Sequence, residues 1–317
     1  MADLPLAERT TFGLTTQLNT PDEAKATVEF AERVGYESIW FGDHVAFTSP
    51  IQDALTQIAH ASAYTRKLTF GSAIYLLPLR HPGPVAKTVA TLDHMCGGRL
   101  IMGLGIGGEF PNEFALSGVP VTERAGRLAE GIEVMRKLWT GEPVSHEGKY
   151  FNFPEVQMQP APLQPGGPPI WLGGRQKPAL KRAGRLADGY ISYVVSPEMY
   201  REALDTIAEG AEEAGRTIER FDAGHLLFAR IDDTYEKALD TAAGHLSVRY
   251  GMDFRRATER YCAVGTADDV AEKLAAFHAA GMRYFVVDMI GSDEERLEQL
   301  ERFMTEMRKA APEIVGG

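Results

Sequence analysis

What most limits the fold of this chain is an alternation. Short apolar runs with strand character are separated, from one end to the other, by segments with the three- and four-residue spacing of amphipathic helices. FGLTTQL (12–18) leads into Thr20-Pro21-Asp22-Glu23, a capping residue, a first-turn proline and an acid at the third helical position. This predicts a helix to Gly35, and the strand ESIWF (37–41) follows. The same grammar predicts a helix opened by Ser49-Pro50-Ile51-Gln52 and ending near Tyr64, then the strand LTFGSAIYL (68–76). A helix from His81-Pro82 to about Met95 and the strand RLIMGLG (99–105) come next. Leu128, Ile132, Met135 and Trp139 put one buried stripe on a helix between Thr122 and Trp139.

The series resumes with PIWLGG (169–174), the helix KPALKRAGRLA, the strand DGYISYV and a helix begun by Ser196-Pro197-Glu198. DAGHLLFARI (222–231) is a further strand with a helix after it. A helix capped by Thr266-Ala267-Asp268-Asp269 runs to Gly281, and the strand RYFVVDMI and a last helix from about Glu294 close the chain. Eight strands alternating with helices, with no linker-like composition between them, predict an α/β protein. The expected architecture is a single (β/α)8 TIM barrel over 1–317, with an open doubly wound sheet as the competitor. Insertions are expected near 106–120, 141–167 and 249–263. FPNEFALSGVP reads as an irregular loop, the Pro- and Gly-rich 141–167 as an excursion with a small hairpin around Tyr150 to Phe153, and the region around Arg249 to Cys262 as irregular.

Composition narrows the function classes. Forty-four acidic against thirty-three basic residues give a formal charge of −11, with no basic block that could track a phosphate backbone, so nucleic acid is not an expected partner. There is no signal-like apolar core at the N-terminus and no run long enough to span a bilayer, and Cys96 and Cys262 are too far apart for a CxxC pair. A soluble, unanchored, cytoplasmic protein is expected. The eight histidines show no tight ligand spacing, so no metal is expected, and the Gly-x-Ser-x-Gly of the common hydrolases is absent.

In a barrel, chemistry collects at the carboxyl ends of the strands. After the second strand, Asp43 and His44 place a carboxylate beside an imidazole, fit either for proton transfer and ring contact or for a loop network. At the end of the third strand, the small residues Gly71, Ser72 and Ala73 and the apolar Ile74 suit either the approach of a flat ring or tight packing. The fourth strand runs into Gly103, Gly105, Gly107 and Gly108 and then Glu109. GLGIGG matches GxGxxG in letters but lacks the context of a dinucleotide fingerprint, namely a helix that follows at once and an acid at the next strand. Glu109, if partly desolvated, would serve as a general acid; otherwise it caps a short helix. Gly173, Gly174 and Arg175, ahead of a helix expected near Pro178, form the best anion site in the chain, with packing and a helix cap as the other reading.

Taken in order, WFGDHVAF, GSAIYLLPLRHP, LDHMCGGRLIMGLGIGGEFPNEF, ERAGRLAEGIEVMRKLWTG and WLGGRQKPALKRAGRLADGY resemble the luciferase-like superfamily of flavin- or deazaflavin-dependent oxidoreductases, over about 12–310. The resemblance implies a (β/α)8 barrel, a homodimer, a flavin-like ring at the barrel mouth and a non-prolyl cis peptide around Ser72 and Ala73. It points to the deazaflavin branch, with coenzyme F420, through His44 and Glu109. It implies hydride transfer to or from a small molecule, with Asp43, Ser72, Ala73, Ile74, Gly107, Gly108, Gly173, Gly174 and Arg175 holding the cofactor. Tyr75, Leu76, Leu77, Phe110 and Phe114, in the loops nearest the expected ring, point to a largely apolar molecule or to a seal against solvent. Two alternatives stay open: an FMN-dependent monooxygenase served by a flavin reductase, and a barrel that binds or assembles without catalysis.

Overall fold

The computed structural model describes residues 4–48 and 50–316. Its strands are β1 (Thr11–Thr15), β2 (Ser38–Phe41), β3 (Thr69–Ser72), β4 (Leu100–Leu104), β5 (Val144–Glu147), β6 (Asn152–Val156), β7 (Ile170–Gly173), β8 (Gly189–Tyr193), β9 (Asp222–Ile231), β10 (Ala263–Gly265) and β11 (Tyr284–Met289). Helices separate the parallel strands throughout. The chain divides into two compact units, one of residues up to 15, 31–37 and 174 onward, the other of 16–30 and 38–173.

In the second of these, β3 pairs in parallel with β2 and β4, and β4 with β7. Every residue of β2 and β4 is buried, the continuous apolar pattern of strands covered on both faces. Trp40 and Trp171 pack at 5.1 Å between ring centroids. A Cβ on Gly71 would stand 2.3 Å from the Trp40 ring, so this glycine makes room for a core indole rather than for a ligand.

In the other unit, β11 pairs in parallel with β1 and β9. The long β9 takes β8 along Asp222–Leu226 and β10 along Ala229–Ile231. Phe12 stacks on Phe285 at 5.0 Å, and Leu14, Val286 and Val287 are fully buried beside them.

Most of the helix starts read from sequence are present. Glu23 N–H donates to Thr20 Oγ1 at 3.2 Å at the head of Pro21–Val34, and Ser196 caps Pro197–Glu213. Thr266 and Asp269 form a reciprocal capping box on Ala267–Ala279. Four local expectations need correction. The helix Ala54–Ser62 is capped by Asp53, whose Oδ1 accepts from Thr56 N–H at 2.9 Å, and does not start at 49–52; Ser49 lies outside the described residues. The third strand ends at Ser72, and the chain turns through a cis peptide, at Ala73–Ile74 rather than one bond earlier, into a 3₁₀ turn at Leu77–Leu79. FPNEFALSGVP carries the helix Pro111–Leu116, started by its proline. The 249–263 region holds the helix Arg255–Tyr261 and opens into β10. The excursion at 141–167 does hold a hairpin, β5 against β6, anchored where Glu130 accepts the N–H groups of Lys149, Tyr150 and Phe151. Among the described residues no helix is long and apolar enough to cross a membrane.

Candidate functional site

His44 lies three residues beyond β2, and its surroundings are built by the short helix Pro111–Leu116. The ring stacks on Phe47 at 4.1 Å and meets Phe110 edge-on at 5.4 Å, while Phe47 and Phe110 meet each other at 4.8 Å. Against Nδ1 stands Glu113, with Oε2 at 3.1 Å and Oε1 at 3.2 Å. Oε1 also accepts from Val45 N–H at 2.7 Å and Ala46 N–H at 3.1 Å. A carboxylate held by two backbone donors acts as an acceptor, so Nδ1 carries the hydrogen and Nε2 presents a lone pair. The His44 side chain is 23% exposed and that of Glu113 only 1%, so a ligand can reach the imidazole but not the carboxylate behind it.

The burial that a general-acid reading of Glu109 requires is absent: Glu109 is exposed, and the buried carboxylate is Glu113, one helical turn on. The letters GGEFPNE offer both acids; only the start of a helix at Pro111 turns the second one inward.

Asp43 also differs from the expected ring contact. It is buried, and its oxygens are taken up by Leu76 N–H at 2.9 Å and by a bidentate Arg80, with Nη1 at 2.5 Å and Nη2 at 2.9 Å. It therefore fixes the turn that follows the cis peptide. The Arg80 guanidinium lies 4.3 Å over Tyr75, whose burial pushes its phenol up to about 12. Arg80, outside the expected site set, was legible only as the basic residue closing GSAIYLLPLR.

The glycines of GLGIGG serve two purposes. A Cβ on Gly103 would stand 2.0 Å from the carbonyl oxygen of Ser72, and one on Gly105 would stand 1.8 Å from Ile74 Cδ1. Ser72 Oγ donates to Gly103 O at 2.9 Å, so its hydroxyl joins β3 to β4 and does not face outward. Ala73 and Ile74 are partly exposed. Gly107 and Gly108 have φ of +59° and +112°, and a Cβ on Gly108 would stand 2.9 Å from Arg124 Nε. That Nε is enclosed and has no hydrogen-bond partner among the described residues. A donor left unpaired against a glycine turn fits a bound group that brings its own acceptor oxygens. Arg124 was missed in the sequence because it reads as the start of a helix.

Gly173 ends β7, and Gly174 and Arg175 lead to the helix Lys177–Leu186, which has no side-chain cap. Gly174 has φ of +137° and its carbonyl accepts from Tyr190 OH at 2.8 Å. Arg175 is exposed, donates to Val194 O at 3.3 Å and lies 5.0 Å over the Tyr193 ring. Pro178 has no N–H and Ala179 N–H donates to Gln176 O at 2.8 Å, so the feature here that suits an anion is the exposed Arg175 guanidinium. Among the described residues no group of three or more His, Cys, Asp or Glu is placed to hold a metal ion.

The chain is 28% identical to an F420-dependent glucose-6-phosphate dehydrogenase of Microbacterium testaceum, over 91% of this chain and 94% of that one. It is 31% identical to a 4-hydroxyprotoasukamycin monooxygenase of Streptomyces nodosus subsp. asukaensis, over 67% of this chain and 59% of the other. The fold matches that of an F420-dependent secondary alcohol dehydrogenase, solved with an F420-acetone adduct. The TM-score is 0.82 at 23% identity, covering 95% of this chain and 99% of that one. The shared fold is the (β/α)8 barrel. The family model for luciferase-like monooxygenases matches residues 6–284, and the chain belongs to that family.

Proposed function

We propose that this protein is an oxidoreductase that transfers a hydride between coenzyme F420 and a small, largely apolar organic molecule, with His44 handling the proton. The observation that carries the reading is the His44–Glu113 pair: an accessible imidazole nitrogen whose other nitrogen is fixed by a buried acceptor. F420-dependent dehydrogenases and reductases among the relatives support the choice of cofactor. Bound F420 supplies a carbon centre that accepts or gives the hydride.

Residues fitted to hold such a cofactor are the backbone at Ala73 and Ile74, the glycines Gly107 and Gly108, and Arg124 through its unpaired Nε. Gly173, Gly174 and Arg175 are proposed separately as a phosphate seat. Nε2 of His44 takes the proton of a substrate hydroxyl during oxidation and returns it during reduction. Glu113 holds the ring in the tautomer that permits this and steadies the imidazolium that forms. Phe47 and Phe110 keep the ring in place and exclude water from its faces. Glu109, exposed nearby in sequence, is the second candidate for proton transfer. A soluble homodimer is the expected working form.

The reading is tested by titrating the purified protein in parallel with F420 and FMN. Selective binding of F420 is expected. Selective binding of FMN would overturn it and favour the monooxygenase alternative, with oxygen uptake and a flavin reductase as the next assay; binding of neither would favour the non-catalytic one. With the cofactor established, Glu109→Gln is expected to leave the rate within about threefold of the parent, since the buried Glu113 and not Glu109 holds the His44 ring. A hundredfold or greater loss, of the order general acid–base catalysis contributes, would return the acid role to Glu109.

A further inference from the structure

A second cluster of charge lies wholly in the other unit. Arg249, near the end of the helix Tyr235–Tyr250, pairs with Asp288 of β11, Nη1 to Oδ2 at 2.8 Å. Arg296, at the head of Arg296–Ala310, sends Nη2 to the carbonyl oxygen of Thr15, the last residue of β1. Its Nε is enclosed and has no partner among the described residues. Leu14 is in register with Val287, so Thr15 and Asp288, one residue on in each strand, bring Arg296 and Arg249 to the same end of the β1–β11 pair. Burial lowers the pKa of Arg296, Asp288 raises it and Arg249 lowers it, while the exposed Asp293 raises both arginines. Nearby Arg230 is different. It donates to Asp232, to Ile290 O and to Glu295, and Lys237 also holds Asp232, so that group is closed on itself.

Two guanidinium groups share one inward carboxylate; the Arg249 side chain is 35% exposed, and the enclosed Nε–H of Arg296 is a donor costly to leave unpaired, which an anion would satisfy. The wall beside them is apolar. Arg249 lies 5.8 Å over Phe228, Tyr250 stacks on Phe254 at 4.9 Å, and Ile290 and Leu246 are fully buried in the same cluster.

We infer that Arg296 and Arg249 form a binding site for the carboxylate of a small apolar acid, Arg296 giving its planar Nε–H edge and Arg249 the second charge. Reading that acid as substrate or product rests on the oxidoreductase proposal; the site itself does not.

The test uses the whole protein and hexanoate as the probe, by calorimetry at low salt, with hexanol as the neutral control. Saturable hexanoate binding, at least tenfold weaker in Arg296→Gln and in Arg249→Gln and absent for hexanol, is the expected result. Arg296→Lys keeps the charge but not the Nε–H edge, and is expected to fall between parent and Arg296→Gln; it also serves if Arg296→Gln does not fold. Absence of saturable binding by the parent protein, or unchanged binding in the folded variants, overturns the site. Binding that persists with F420 present supports the substrate reading, and competition by F420 overturns it. Failure of F420 to bind at all would leave the hexanoate result standing, so the two proposals fail separately.

Discussion

Glu113→Gln is the most discriminating change available, because it keeps the shape of the side chain and alters one hydrogen-bond direction. The amide oxygen can replace Oε1 and keep the bonds from Val45 N–H and Ala46 N–H, at 2.7 and 3.1 Å. The NH2 group then falls at the position of Oε2, 3.1 Å from His44 Nδ1. The amide oxygen, 3.2 Å from Nδ1, is already shared by two backbone N–H groups while the NH2 now donates toward the ring, so the imidazole is pushed to give up its Nδ1 hydrogen and carry one on Nε2 instead. The nitrogen open to substrate loses its lone pair. Removing a positioned base costs roughly 10²–10⁴ in rate, and that loss is expected in kcat with KM little changed. The cost to folding is smaller, about 1–2 kcal/mol, since charge-assisted bonds become neutral ones but stay made. The assay is a single-turnover measurement of cofactor absorbance, beside a urea melt. His44→Asn is the second arm. If Glu113 acts through His44, the double variant loses no more than His44→Asn alone. A Glu113→Gln enzyme within about threefold of the parent, or full additivity in the double variant, would refute the tautomer argument.

Three further outcomes follow from the same geometry. Gly103→Ala drives a Cβ to 2.0 Å from the Ser72 carbonyl oxygen, which backbone cannot yield cheaply. It should cost about 1–3 kcal/mol or more by urea denaturation and also weaken cofactor binding; a loss below about 0.5 kcal/mol would show that β3 and β4 can part there. Arg80→Met leaves the buried Asp43 with one backbone donor, and a loss of about 3–5 kcal/mol is expected, whereas the paired change Asp43→Asn with Arg80→Met should recover part of it. His225, held at 2.6 Å from Ser192 Oγ and stacked on Phe277, has its pKa pushed down by burial to about 3. Its folded pKa lies below the unfolded one, so the folded imidazole stays neutral while the unfolded chain takes a proton below about pH 6.5. The stabilisation is complete above that pH and is lost as pH falls toward 3, by about 2 kcal/mol at pH 5. Chemical melts of the parent and of His225→Gln at pH 7.5 and 5 check this, and equal pH slopes would contradict it.

The division between what was legible in sequence and what was not follows the range of the forces involved. Helix starts such as Thr20-Pro21 and Thr266 to Asp269 were legible because capping is settled within four residues, and the buried stripe from Leu128 to Trp139 because helical period is local. The alternation gave the α/β class and favoured the barrel over the open doubly wound sheet that it also allowed. His44 was found because an imidazole just past a strand end is conspicuous in the text. The partner of His44 was not, since Glu109 and Glu113 are equal as letters. Only the short helix begun at Pro111 buries one carboxylate at 1% exposure and leaves the other in solvent. The purpose of Gly71, Gly103 and Gly105 was equally hidden, because the atoms that need their missing side chains, on Trp40, Ser72 and Ile74, arrive from neighbouring strands or from the far side of a turn. Sequence by itself determined where most of the elements begin and which residue types stand at strand ends. Tertiary packing decided which of those side chains is dry, which nitrogen of an imidazole is free, and which arginine keeps a donor unspent, because each depends on atoms that are distant along the chain and touching in space.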